Sequence, residues 1–172
     1  MEGKRLLYNK IMTRIYLRKI KESDLDCFSK WWRDDELLTL TSGVTDKISD
    51  MEVEKYFLTM KNSKSDLNFM ITANSRPVGH ISLNKRPNGD YETQIIIGEK
   101  ENWSKGIGAE AIKQLIKKAK ALKIKDIFLE VRPDNLRAIN AYKKAGFREV
   151  GLKKYPNNLN LKEVIVMEYC QD

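Results

Sequence analysis

Two glycines, an asparagine, a tyrosine and a handful of carboxylates are the residues here whose types and spacing could do chemistry. Gly106 and Gly108 stand in ENWSKGIGAEAIKQLIKKA, where a polar loop runs into an amphipathic segment. Glycine has no Cβ, so the backbone there can bend tightly and approach a ligand closely. The first turn of a following helix carries unpaired N–H groups and the positive end of the dipole, a setting that suits phosphate. Lys105 adds a cation beside it. A P-loop needs GxxxxGK[ST], and no Lys-Ser or Lys-Thr pair follows either glycine. A dinucleotide fingerprint, GxGxxA, does match Gly106, Gly108 and Ala111, but that motif belongs directly after the first strand of a βαβ unit. Here seven residues separate the apolar run TQIIIG from Gly106. A nucleotide-dependent oxidoreductase is disfavoured on that ground.

The elements that must position these groups follow from periodicity. RIYLRK (14–19) alternates as a strand, and 22–33 has helical spacing through Leu25, Phe28, Trp31 and Trp32. Residues 39–43 are polar and turn-like; 50–60 is again helical. LNFMITA (67–73) and PVGHISL (77–83) predict two strands joined by a turn at 74–76, with a second turn at 87–90. TQIIIG (93–98) is a central strand, and 106–122 a long helix with one apolar stripe. DIFLEV (126–131), a helix over 134–145 ended by Gly146, and the pair 147–152 and 161–169 complete the chain. The order predicts a mixed α/β (α+β) domain with a single, mostly antiparallel sheet flanked by helices.

Composition narrows the classes. The chain has 172 residues, 41% hydrophobic and 33% charged, which suits one domain with a solvated surface. No apolar run is long enough for a membrane span, and the N-terminal MEGKRLLYNKIMTR lacks the apolar centre of a secretory signal. Cys27 and Cys170, the only cysteines, make neither a disulfide framework nor a zinc site, so a reducing, cytoplasmic setting and no metal are expected. Net charge is +8, unevenly spread. Between Glu22 and Glu54 stand ten acidic and three basic residues, −7, leaving +15 elsewhere. A protein that only gripped nucleic acid gains little from such a block; a two-ligand enzyme uses both halves. His80, the only histidine, reads as a satisfied core or edge residue.

A second motif joins the glycine loop. In LEVRPDNLRAINAYKKAGF (129–147), Asn135 and Tyr142 are seven residues apart, two helical turns, and so share a face. IIIGEKENWSKGIGAEA resembles the central strand, pyrophosphate loop and helix of the GNAT superfamily of N-acetyltransferases, with its Q/R-x-x-G-x-G/A core. Trp103 stands where Gln or Arg is usual. The later segment resembles the same family's N-x-x-A-x-x-x-Y-x-x-x-G-F, with Asn135, Ala138, Tyr142, Gly146 and Phe147 in place. Trp103 with Glu110 resembles the branch of ribosomal-protein N-terminal acetyltransferases. The resemblance covers roughly residues 14–170.

It implies one N-acetyltransferase domain over 1–172, residues 1–13 being a loosely ordered extension, and acetyl-coenzyme A as co-substrate. Ile95, Ile96, Ile97, Trp103, Ser104, Lys105, Gly106, Ile107, Gly108, Ala109 and Asn135 are the implied cofactor contacts, with an N–H near Ile97 polarising the thioester carbonyl. Tyr142 is the implied acid toward the departing thiolate, and Glu130 or Glu92 the implied base. Trp31, Trp32, Asp34, Asp35 and Glu36 border the implied amine site. The expected partners are acetyl-coenzyme A and an amine acceptor, a protein N-terminus or a small cationic amine, with no membrane and nucleic acid disfavoured. A homodimer is compatible. The rival reading is a ribosome- or RNA-associated module that keeps the fold without catalysis, supported by the lysines at 113, 117, 118, 120, 123 and 125.

Overall fold

The computed structural model describes residues 13–44 and 46–170; of the expected N-terminal extension, residues 1–12 lie outside the described residues. Seven strands form one sheet in the order β1-β2-β3-β4-β5-β7-β6. They are β1 (Ile15–Lys19), β2 (Leu67–Ala73), β3 (Arg76–Lys85), β4 (Tyr91–Ile97), β5 (Ile127–Val131), β6 (Phe147–Lys154) and β7 (Glu163–Tyr169). The helices are α1 (Leu25–Trp31), α2 (Asp35–Leu40), α3 (Asp50–Asn62), α4 (Ile107–Ala121) and α5 (Leu136–Lys144). Neighbouring strands are antiparallel except β4 and β5, which are parallel. The mixed α/β expectation with a mostly antiparallel sheet holds.

Local chemistry sets the helix boundaries. Ser49 and Glu52 form a reciprocal capping box at the start of α3, and the Asn135 side chain accepts from Ala138 N–H to start α5. Gly146 closes α5 at φ +100°, a conformation only glycine adopts freely. The helix α2 takes in Thr39 and Leu40 of the expected turn over 39–43, whose remaining residues, 41–43, do turn. Asp34 accepts from the N–H groups of both Glu36 and Leu37, and this cap turns DELLTL into a helix.

Strand alternation gives the sheet two differently used faces. Tyr91, Ile95 and Ile97 of β4 pack into a large core with α4 and α5, around Ile112, Leu115, Leu129 and Met167. Ile96 points the other way, into a second core with Phe28, Trp31, Phe57 and Met70 under α1 and α3. Lysines of α4 serve packing as well as solvation: Lys118 lies over the Phe69 ring and Lys120 over Tyr169.

The decisive feature is where the sheet comes apart. Parallel pairing of β4 with β5 is limited to Tyr91↔Ile127 and Glu92↔Phe128. Beyond these, β4 stays with β3 as far as Ile97, while β5 stays with β7. Gly98 ends β4 beneath Trp31, where a Cβ would stand 2.3 Å from the indole carbons. The Trp31 indole N–H and the Lys30 ammonium both reach Glu99, at 3.0 and 2.7 Å, and pin α1 to the tip of β4.

His80 lies on the Phe28 ring with its Nε2 3.3 Å from Asn68 Oδ1. Burial lowers its pKa to about 4. The unfolded chain takes up this proton near pH 6.5, so the associated stability is complete above 6.5 and drains as pH falls toward 4. As the only histidine, His80 gives an isolated NMR signal. It is expected to stay neutral down to about pH 5 in the folded protein; a midpoint near 6.5 would contradict this packing.

Candidate active site

In the gap left by the parted strands, β4 presents backbone groups without a strand to receive them. Tyr91 N–H donates toward β5, to Asp126 O, and Gly98 N–H toward β3, to Val78 O. Directions alternate along a strand, so the N–H groups of Ile95 and Ile97 also face the β5 side, beyond the last paired position. The Ile97 carbonyl on that side is taken by the Trp103 indole N–H at 2.6 Å. Trp103 thereby ties the glycine loop to the end of β4.

The loop then curls through Ser104 at φ +60° and Gly106 at φ +81° into α4. No side chain caps this helix, and its first internal bond among the described residues runs from Glu110 N–H to Gly106 O. The N–H groups of Ile107, Gly108 and Ala109 are left for a ligand. A Cβ on Gly108 would come no nearer than 3.9 Å to Ile95, Ile97 and Ala141. These groups line a cavity of about 320 Å³ between β4, the glycine loop and α5.

Of the expected cofactor contacts, Ile95, Ile96, Ile97, Trp103, Ser104, Gly106, Ile107, Gly108, Ala109 and Asn135 all line this cavity; Lys105, exposed beside it, does not. Tyr142 lines it too, packed edge-on against Phe147, and its hydroxyl makes no hydrogen bond with the described residues. Burial raises its pKa, so the phenol keeps its proton at neutral pH. Asn135 is doubly engaged: besides capping α5, its amide donates to Leu40 O at 3.2 Å, joining α5 to the end of α2.

The opposite face of the parting holds a second cavity, of about 440 Å³. Glu92 and Phe128 are register partners and share a face with Ile96, the α1–α3 side; Glu130, two residues on, shares it as well. Both expected bases line this cavity. Glu130 accepts from Lys153 Nζ at 2.7 Å and from the Tyr155 hydroxyl; Glu92 pairs with Arg86. The two cavities share no lining residue: the first lies at the open end of the split, the second over the last paired residues, Glu92 and Phe128, reaching to the β3–β4 turn and to Glu130.

The expected amine-side residues are more committed than their types suggest. Trp31 is core, with Trp32 partly exposed between Phe28 and Tyr56. Asp34 caps α2, and Lys100 Nζ sits 2.9 Å from both Asp34 and Glu36. Elsewhere in the acidic block Arg18 holds Asp24, Arg33 holds Asp50 and Lys61 holds Glu22. Asp35 is exposed and appears in no ion pair among the described residues.

Sequence reasoning missed Leu37, Leu40 and Thr41 of the α2 region, and Arg137, Asn140 and Lys144 of α5, all lining the first cavity. A signal was present for Arg137. A cation in the first turn of a helix opposes the dipole and calls for another reason to be there. The Arg137 guanidinium lies 3.5 Å over the Trp103 ring and makes no ion pair among the described residues.

A seven-stranded sheet opened at β4–β5, with a glycine-started helix beside the opening, is the arrangement of an acetyl-coenzyme A-dependent transferase. A family model for the acetyltransferase (GNAT) domain matches residues 14–148, and the chain belongs to this family of N-acetyltransferases. It is similar to an N-acetyltransferase 9-like protein of Caenorhabditis elegans, 25% identical over 72% of this chain and 70% of that protein. Among solved structures, spermidine N-acetyltransferase of Vibrio cholerae with coenzyme A and spermine superposes with TM-score 0.77 at 21% identity, covering 90% of this chain and 94% of the other. The aminoglycoside acetyltransferase AAC(6′)-Ib with coenzyme A gives TM-score 0.75 at 20% identity, covering 90% and 94%.

The double role of Asn135 is open to test by melting. Asn135→Ala removes a cap worth about 1 kcal/mol, about 2–4 °C in a domain of this size, and the link to Leu40 besides. Asn135→Asp keeps the capping oxygen and is expected to melt between Asn135→Ala and the native protein. Equal melting temperatures for all three would show that neither bond holds α5.

Proposed function

We propose that the acetyl group passes in one step, from acetyl-coenzyme A on the α4–α5 face to a primary amine arriving from the α1–α3 face. The observation that carries this reading is the split between β4 and β5, with one cavity at its open end and another over its last paired residues, where Glu92 and Glu130 lie. The free N–H groups of Ile107, Gly108 and Ala109 suit the diphosphate, with Lys105 and Arg137 adding charge. The N–H groups of Ile95 and Ile97 suit the pantetheine amides and, at the thioester, the developing oxyanion.

An alkylamine has a pKa near 10.4, so exposing its lone pair at pH 7 costs about 4–5 kcal/mol. Glu130 is the base we favour, directly or through water, with Glu92 as the second candidate. Tyr142, protonated and unspent in the first cavity, donates a hydrogen bond to the departing sulfur. The C–S bond breaks as the C–N bond forms, the proton lost by the amine goes to the base, and Tyr142 hands its own proton to the departing sulfur. The acceptor class is a protein N-terminus or a small amine. The likeness to a spermidine N-acetyltransferase of Vibrio cholerae supports the small-amine option. With Lys100 between Asp34 and Glu36, any steering of cations by this stretch falls to Asp35. Two free, half-buried cysteines fit a cytoplasmic setting, and no helix among the described residues is long and apolar enough to cross a membrane.

Acetyl-CoA should raise the melting temperature, whereas NAD and ATP should not. A ligand that binds only the folded chain stabilises it by about 2.7 kcal/mol at a hundredfold excess over Kd. No shift at millimolar acetyl-CoA would remove the cofactor assignment. Tyr142→Phe keeps the ring and removes the donor, so kcat should fall by about 10²–10⁴-fold with little change in acetyl-CoA affinity. An unchanged single-turnover rate would take Tyr142 out of the chemistry.

A further inference from the structure

The second cavity has an ordered distribution of charge. Its carboxylates are the sheltered groups: the side chains of Glu92 and Glu130 are 10% and 18% exposed. Its cations stand at the rim, Arg86 at 43% and Lys153 at 52%. Each carboxylate already holds one cation, so the four groups sum to zero. The rim cations are also the more exposed partners of the two pairs. The Arg86 backbone is fixed by bonds with Asp90 and Gly89 across the β3–β4 turn, and its half-exposed side chain reaches Glu92. Lys153 extends from β6, the last strand of the sheet, with its ammonium 4.9 Å over the Tyr155 ring.

An acceptor amine that reaches a carboxylate on this floor competes with the rim cation already held there. A polyamine brings further positive charge beside Lys153 and Arg86 with nothing to offset it. An amine with a carboxylate a few atoms away exchanges both halves of an ion pair at once. Its ammonium takes Glu130, which keeps the Tyr155 hydroxyl, and its carboxylate takes the released Lys153 or Arg86. No charge is left alone.

We infer that this cavity selects amines bearing a nearby carboxylate, as in a free amino acid or an acidic peptide N-terminus, over polyamines and basic peptides. The inference rests on reading the second cavity as the acceptor site. It makes Arg86 and Lys153 specificity residues in addition to partners of the two glutamates.

The test is kcat/KM by thiol release for peptides with the same first residue and Glu, Gln or Lys second, with glycine, glycinamide and spermidine alongside. The native enzyme should favour the Glu peptide over the Lys peptide by about tenfold or more. Glycine over glycinamide would show that the free amino acid suffices, and the peptide series alone that a peptide is required. In Arg86→Gln/Lys153→Gln the Glu-to-Lys ratio should fall to about one, while Arg86→Lys/Lys153→Arg, which keeps both charges, should preserve it. A native preference for spermidine or the Lys peptide overturns the inference. So does a ratio untouched by the double Gln variant, or a native enzyme inactive on every acidic acceptor. Glu130→Gln and Glu92→Gln separate the two levels. If they slow every acceptor while the ratio ignores Arg86 and Lys153, only the charge selection is wrong. If they slow none, the acceptor cavity itself is misassigned.

Discussion

Pairing between β4 and β5 stops after Glu92 and Phe128, and the site is a consequence of that stop. A continuous sheet would bury the Ile95 and Ile97 N–H groups in a ladder and leave no passage between its faces. Several contacts hold β4 away. Trp31 sits on Gly98, Glu99 is bound to α1, and the Trp103 indole occupies the Ile97 carbonyl. On the other side β5 is committed to β7 over Phe128–Val131. The sheet is two half-sheets sharing one short seam, each stabilised by its own partners, and the opening leaves the facing edge groups of β4 beyond Glu92 without a strand partner.

The charge pattern follows the same division. Acidic residues gather under α1–α3 and the basic ones around α4, α5 and the edge strands. The acidic block nevertheless spends much of its charge on structure: Asp34 starts a helix, Asp24 is bidentate with Arg18, and Lys100 bridges Asp34 and Glu36. At Asp24 burial works against ionisation, but Arg18 and the Lys21 N–H outweigh it and hold the carboxyl below its ordinary pKa. Raw counts of charge overstate the field an arriving ligand meets, because paired charges largely cancel beyond a few ångströms.

Much of this was legible in the chain. The glycine loop, the Asn135 cap, the Gly146 stop and the shared face of Asn135 and Tyr142 are local effects, and local chemistry dictates them. The helix α2 was not legible, because six residues are too few to show a period and Asp34 reads as one charge among several. The pairings of Glu130 with Lys153 and Tyr155, and of Lys100 with Asp34 and Glu36, were not legible either. They join residues far apart in sequence, and only the folded sheet brings them together. Arg137 lies between: its place in the first turn of α5 was an anomaly, but its seat on Trp103 is tertiary.

Backbone amide exchange, read residue by residue with and without acetyl-coenzyme A, tests the central claim most directly. If the split between β4 and β5 is the cofactor site, exchange should slow at Ile95, Ile97, Gly108 and Ala109, the groups facing the gap and the start of α4. Amides of β1 and β2, at the far edge of the sheet, should be unaffected. Protection confined to other elements, or none at Ile95 and Ile97 under saturating acetyl-coenzyme A, would contradict the claim.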